Sequence, residues 1–157
     1  MSRVRVQAEA FDAGREIAAL TQGRRDVGAV ASFVGLVRDL NEDASVSRMT
    51  LEHYPGMTEK ALEEICREAS ARWSLIDMRI VHRVGTLEPG DPIVLVAVSS
   101  AHRGDAFAAC EFLMDYLKTR APFWKKELTP AGERWVEARE TDEAAAARWS
   151  AEGAKLP

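Results

Sequence analysis

The stretch Tyr116-Leu-Lys-Thr-Arg-Ala-Pro-Phe-Trp-Lys-Lys-Glu127 sets two lysines, Lys118 and Lys125, on either side of a proline. The apolar spacing ahead of it reads as a helix. Pro122 must stop that helix, because proline lacks the N–H and its ring clashes with the preceding turn. Lys125 then follows on a strand. Two ammonium groups gathered at one helix-to-strand junction pack poorly, but they can hold an anion or leave one amine partly unprotonated. On a strand Lys125 and Glu127 share one face, and Trp124, Lys126 and Leu128 share the other. Glu127 is therefore expected to orient or partly neutralise Lys125, with Trp124 and Leu128 anchoring the strand in the core. The run alone equally describes a Lys118 that caps its helix, where the dipole favours a cation, and two solvated lysines beyond it.

Two further segments could supply cations. Ser99-Ser-Ala-His102-Arg103-Gly104 joins an apolar strand to a helix N-terminus, where free backbone N–H groups favour an anion. Arginine's planar fork suits phosphate, so His102 and Arg103 are candidates there. A polar surface loop is the competing description. Phe33-Val-Gly-Leu-Val-Arg38 ends a strand with a guanidinium at the rim of the sheet, although an arginine at a strand end is also ordinary surface. On their alternating strands His53 and His82 read as structural. Walker loops, GxGxxG runs and Ser/His/Asp arrangements are absent from the sequence, so nucleotide-dependent chemistry has no support.

The elements that must carry these residues follow from periodicity. Arg3 to Ala8, Gly28 to Val37, Arg48 to Tyr54, Met78 to Val84 and Ile93 to Ser100 read as strands. Asp12 is expected to cap a short helix to about Thr21, Thr58 a helix from Glu59 to about Trp73, and Asp105 a helix to Arg120. Phe107, Cys110, Met114 and Leu117 form the expected inner face of that last helix. Trp124 to Thr129 and Glu133 to Ala138 flank Pro130-Ala-Gly132 as a hairpin. Thr141-Asp-Glu opens a short Ala-rich helix. The reading is a single α+β domain over 1–149, with a mainly antiparallel or mixed sheet packed against two long helices. Residues 150–157 form an expected flexible tail.

At 157 residues the chain is long enough for one real hydrophobic core. Its formal charge of -4 argues against a nucleic-acid binder, which would need a dominant basic surface. The longest apolar run, Ile93 to Val98, is far short of the roughly 20 residues a membrane helix requires. The N-terminal residues lack the apolar block of a signal peptide, so the cytoplasm is the expected compartment. Cys66 and Cys110 are far apart, have no zinc-type spacing, and read as reduced and structural. Neither a metal site nor a bound cofactor is expected.

Taken together, the segments Phe33-x-Gly-x-x-Arg38, Leu51-Glu-His-Tyr-Pro-Gly-Met-Thr-Glu-Lys60, His82-Arg-x-Gly85, Ser100-Ala-His-Arg103, Met114 to Lys125 and Arg134-Trp-Val-Glu-Ala-Arg139 resemble, in order, the large catalytic subunit of molybdopterin synthase. That resemblance covers about Gly28 to Trp149. It implies an α/β-hammerhead-like fold and an enzyme that converts a cyclic pyranopterin monophosphate into molybdopterin by inserting two dithiolene sulfurs. The sulfur would come from the C-terminal Gly-Gly thiocarboxylate of a small ubiquitin-like subunit, in a heterotetramer built on a dimer of large subunits. It also implies that Lys118 and Lys125 are catalytic, and that Arg38, His102 and Arg103 bind substrate, chiefly its phosphate. Lys126 and Glu127 adjoin Lys125 in the substrate-contacting stretch. Leu36 and Val37 adjoin Arg38, and their apolar side chains leave backbone contacts. Neighbouring cations and partial desolvation would favour a neutral Lys118 as base or nucleophile, since free lysine titrates near a pH of about 10.4. The same cations would also serve a non-catalytic anion-binding module, or a scaffold for a ubiquitin-like partner.

Overall fold

The computed structural model describes residues 3–136 and 140–155. In chain order the elements are β1 (Val4–Gln7), α1 (Ala13–Thr21), β2 (Ala29–Leu36), β3 (Leu40–Asn41), β4 (Ala44–Ser45), β5 (Arg48–His53) and α2 (Met57–Arg72). There follow β6 (Asp77–Arg83), β7 (Gly85–Leu87), β8 (Pro92–Ser100), α3 (Arg103–Arg120), β9 (Phe123–Thr129), β10 (Gly132–Val136) and α4 (Glu140–Lys155). One sheet runs β1-β6-β8-β2, with β1 parallel to β6 and the other pairings antiparallel. A second, antiparallel sheet runs β10-β9-β5-β7, and β3 and β4 form a small hairpin. The mixed α+β architecture expected from the strand spacing is the one observed, with α2 and α3 as the long helices and β9-β10 as the C-terminal hairpin.

β8 is buried along almost its whole length because it is covered on both faces. Val94, Val96 and Val98 enter the large core beneath α2 and α3, while Leu95 and Ala97 meet Leu20 and Val81 beneath α1. Met49, Leu51 and Leu87 of the second sheet join the large core, so the two sheets share one interior. On the α1 side Glu16 pairs with Arg5 and lies 3.7 Å from Arg79, which is itself buried. Gly28 has no room for a side chain: a Cβ there would sit 2.0 Å from the Ala101 carbonyl oxygen.

Asp12 caps α1 as expected, accepting from the Arg15 N–H at 3.0 Å. The other two caps differ. α2 starts at Met57, with Gly56 at φ 86° as its cap and the Glu59 carboxylate accepting from the Gly56 N–H at 3.2 Å. Thr58 lies inside the first turn, fully buried. Its hydroxyl accepts from Tyr54 N–H at 3.0 Å and donates to the Pro122 carbonyl at 3.1 Å. His102 is the cap residue of α3, and Asp105 instead accepts from the Ser74 N–H at 3.2 Å. Phe107, expected on the inner face of α3, is 66% exposed. The inner stripe is carried by Ala106, Ala109, Cys110, Leu113, Met114 and Leu117.

α4 is seated on α3 by Trp149. That ring meets Trp73 and Phe112 edge to face at 5.5 and 5.6 Å, and its Nε1–H donates to Asp115 at 2.6 Å. α4 has 16 residues and continues past Ser150 to Lys155, so it is neither short nor finished where the tail was expected to begin. The expected hairpin residues Glu137 to Ala138, Arg139 of the family motif, and residues 156–157 of the expected tail lie outside the described residues. Among the described residues no helix is long and apolar enough to cross a membrane.

Candidate active site

α3 ends at Arg120, Ala121 takes an extended backbone, and β9 begins directly after Pro122. The break is short and pinned from outside by Thr58, so Lys118 in the last turn and Lys125 on β9 are held on one side of it. Both line a cavity of about 560 Å³ between the ends of the two sheets. Arg38 reaches the same cavity from the end of β2. There the pairing slips: Gly35 faces Val94, but Leu36 faces Pro92. This bulge turns the strand end toward the cavity. Leu36, half-exposed, is part of the wall. Phe33, Met49, His82, Leu117 and Phe123 supply much of the rest.

Alternation along β9 puts Lys125 and Glu127 on the cavity side, as expected. The core side of the strand is the opposite of the one expected. Trp124 is 46% exposed and Leu128 only half-buried, whereas Glu127 is 2% exposed. Glu127 is the centre of a buried network. Asn41 donates to both of its oxygens at 3.0 and 3.1 Å, and Arg134 donates at 3.3 and 3.2 Å. Arg134 also donates to the Asn41 carbonyl at 2.9 Å, which fixes the β3-β4 hairpin against β9. A carboxylate buried with one cation and an amide donor is satisfied rather than stranded.

Four of the expected substrate contacts are elsewhere in this chain. Lys126 is on the opposite face of β9, its Nζ 4.9 Å from the Trp135 ring centre and 3.6 Å from Glu133. Val37 is buried, its N–H bonded to the Asp91 carbonyl at 3.0 Å and its own carbonyl accepting from Gly90 at 2.8 Å. The backbone contacts it was expected to offer are therefore used within the fold. His102 and Arg103 are exposed at the far end of α3. With Lys118 fifteen positions after Arg103 at the usual helical rise, the two ends are about 22 Å apart. Lys118 is exposed in a single chain, so the desolvation expected for it has to come from whatever covers the cavity.

His82, expected to be structural, forms part of the cavity wall with both lysines. Its ring stacks on Phe123, with centroids 3.8 Å apart and planes 16° from parallel. Nδ1 lies 2.7 Å from the Arg83 carbonyl oxygen, which can only accept, so Nδ1 carries the proton. Burial drives its pKa from 6.5 down to about 3. The Arg83 carbonyl opposes that fall, and Lys118, Lys125 and His53 add to it. The sequence signal was a lone imidazole following Met78 and Ile80 on the inward face of β6. Asn41 gave no comparable signal, because its role depends on a hairpin folding back 86 residues along the chain.

The cavity thus offers two amines and a guanidinium as anion donors, one neutral imidazole, and a fixed carboxylate in the wall. The family described as "MoaE protein" matches residues 6–120. A molybdopterin synthase catalytic subunit from Ralstonia nicotianae is 65% identical over 149 residues, covering 95% of this chain and 85% of that one. The solved molybdopterin biosynthesis MoaE protein from Burkholderia ambifaria superposes with a TM-score of 0.81 at 62% identity, covering 96% of this chain and 99% of that one. The molybdopterin synthase structure from Staphylococcus aureus has a TM-score of 0.81 at 33% identity, covering 87% and 98%.

Proposed function

This chain belongs to the MoaE family, and from that premise we propose how its residues perform the family's reaction. The chain is the catalytic subunit of a molybdopterin synthase, a sulfur-transferring enzyme that builds the dithiolene of molybdopterin. The substrate is a cyclic pyranopterin monophosphate. The donor is the C-terminal thiocarboxylate of a small ubiquitin-like subunit, whose tail enters the cavity. Arg38 and Lys125 hold phosphate and developing negative charge, because charge-assisted bonds in a partly dry pocket are the strong ones. Lys118, at the mouth, moves the proton or activates the acyl–sulfur group as the tail covers it. The thiocarboxylate sulfur bonds to a side-chain carbon of the pterin as a C–O bond at that carbon breaks and its oxygen leaves. Water then cleaves the acyl–sulfur bond, freeing the pterin thiolate and returning the glycine as a carboxylate, once for each of the two sulfurs.

The observation that carries this reading is the sharing of one cavity by Lys118, Lys125 and Arg38, drawn from three separate elements. His102 and Arg103 bind the substrate phosphate from a second copy of the chain, within a dimer of large subunits. Lys126 does not contact substrate in this account. Its place over Trp135 suits a role in the outer face of the second sheet.

The test is sulfur incorporation with purified thiocarboxylated small subunit. Lys118→Ala is expected to slow turnover by about 100-fold or more, the usual scale for losing a positioned proton-transfer group, with the fold intact. Near-normal turnover in that variant would remove Lys118 from the mechanism. A mere scaffold would tolerate Arg38→Ala without loss.

A further inference from the structure

Every cationic group in the cavity is a donor, whereas a pterin ring presents its own N–H groups and needs acceptors as well. Besides the carboxylates of Glu127 and Asp142, His82 is a wall residue suited to meet one. It sits mid-sheet on β6, paired with Val6 and Val94, and only 4% of it is exposed. The Phe123 stack fixes the plane of the ring, and the Arg83 carbonyl fixes the proton on Nδ1. That leaves Nε2 as a lone pair at the opposite edge of the ring. Among the described residues no protein group donates to it, and it is not among the buried atoms closed off without a partner. Nε2 is therefore not sealed in the core, and a molecule in the cavity that His82 lines can donate to it.

Resting on the reaction assigned above, we propose that His82 orients the bound pterin by accepting, at Nε2, a hydrogen bond from an N–H or O–H donor of the substrate. The imidazole stays neutral throughout, because burial disfavours its charged form and Lys118 from α3, Lys125 from β9 and His53 from β5 add to that. A neutral ring in the same wall as two ammonium groups cannot compete for the phosphate. It can only tell one edge of the pterin from another, leaving anion capture to the lysines and Arg38. His82 is thus a positioning residue with a direct substrate contact, distinct from the proton-moving amine.

The experiment compares His82→Phe with His82→Gln in the complete assay with thiocarboxylated small subunit and the pterin monophosphate. Phenylalanine keeps the stack and removes the acceptor, while glutamine returns an acceptor near Nε2. His82→Phe is expected to raise KM for the pterin about 10-fold with little change in kcat, the scale of one lost hydrogen bond. His82→Gln is expected to recover most of the loss. An unchanged KM in His82→Phe, or equal damage in both variants, would overturn the proposal.

A second readout avoids substitution. The chain has three histidines, so ¹⁵N imidazole spectra resolve His82 directly. Adding the pterin monophosphate should move the Nε2 resonance upfield and leave Nδ1 in place, and an indifferent Nε2 would count against the role. Full wild-type turnover with an indifferent His82 retires this inference alone. No molybdopterin from the wild-type pair would retire the assigned reaction as well.

Discussion

Holding His82 neutral inside the fold links stability to acidity. In the unfolded chain this imidazole binds a proton below about pH 6.5, whereas the folded chain resists until about pH 3. Its contribution is complete above the upper value and is lost as pH falls toward the lower one. Between them, stability should drop by about 1.4 kcal/mol per pH unit from this group. Chemical unfolding at a series of pH values should show that slope, and His82→Phe should flatten it by one proton. The thiols are protected in another way. Burial pushes Cys66 up to about 12 and Cys110 up to about 11, so both are protonated in the fold at neutral pH. A thiol reagent at pH 8 should label neither until the protein is denatured, and sulfur transfer should survive replacing both with alanine. At this scale the sequence made Lys118 and Lys125 legible, because a proline break between two lysines is a local pattern. It hid His82 and Asn41, whose partners are remote, and it misled on Trp124, an aromatic residue that faces outward.

The two-residue path from Lys118's helix to Lys125's strand is held by a different helix. Thr58, buried in the first turn of α2, donates to the Pro122 carbonyl and so fixes the corner between them. Thr58→Val keeps the volume and removes that bond. It should cost about 1–2 kcal/mol in a melting or denaturant measurement. It should also lower kcat more than it changes pterin KM, because the corner sets the spacing of the amines. At the C-terminal end, Trp149 fastens α4 by its ring and its N–H to Asp115. Trp149→Ala should cost about 3–5 kcal/mol, as for other buried aromatics cut back to alanine. The longer strands were legible to within a residue or two, since β2, β5, β6 and β8 alternate or run apolar as buried strands must, whereas the two- and three-residue strands β3, β4 and β7 are too short to show a period. Helix starts were less so. A glycine in a left-handed conformation caps α2, leaving Thr58 free for another task. Phe107 fits the helical period yet faces solvent, because periodicity does not say which apolar residue a partner surface will cover.

One copy of the chain gathers Arg38, Lys118 and Lys125, but holds His102 and Arg103 at the other end of an 18-residue helix. No rotation of those side chains bridges about 22 Å. If a second copy completes the cavity, Lys118→Ala and Arg103→Ala variants, each inactive alone, should regain activity when co-refolded, because a mixed pair contains one intact site. Absence of any rescue would show that His102 and Arg103 work outside the lysine cavity. The residue patterns alone do not make this division, since both clusters are short, cationic and next to a helix terminus; only the family resemblance implied a pocket that borrows residues across a dimer. The cavity's cations also sit within a chain that is acidic overall, with a formal charge of -4. An approaching phosphate is therefore repelled at long range and drawn in only within the last ångströms. Ionic strength acts on those two stages in opposite directions: added electrolyte screens the distant repulsion over a Debye length of about 10 Å at 0.1 M before it weakens the close contacts.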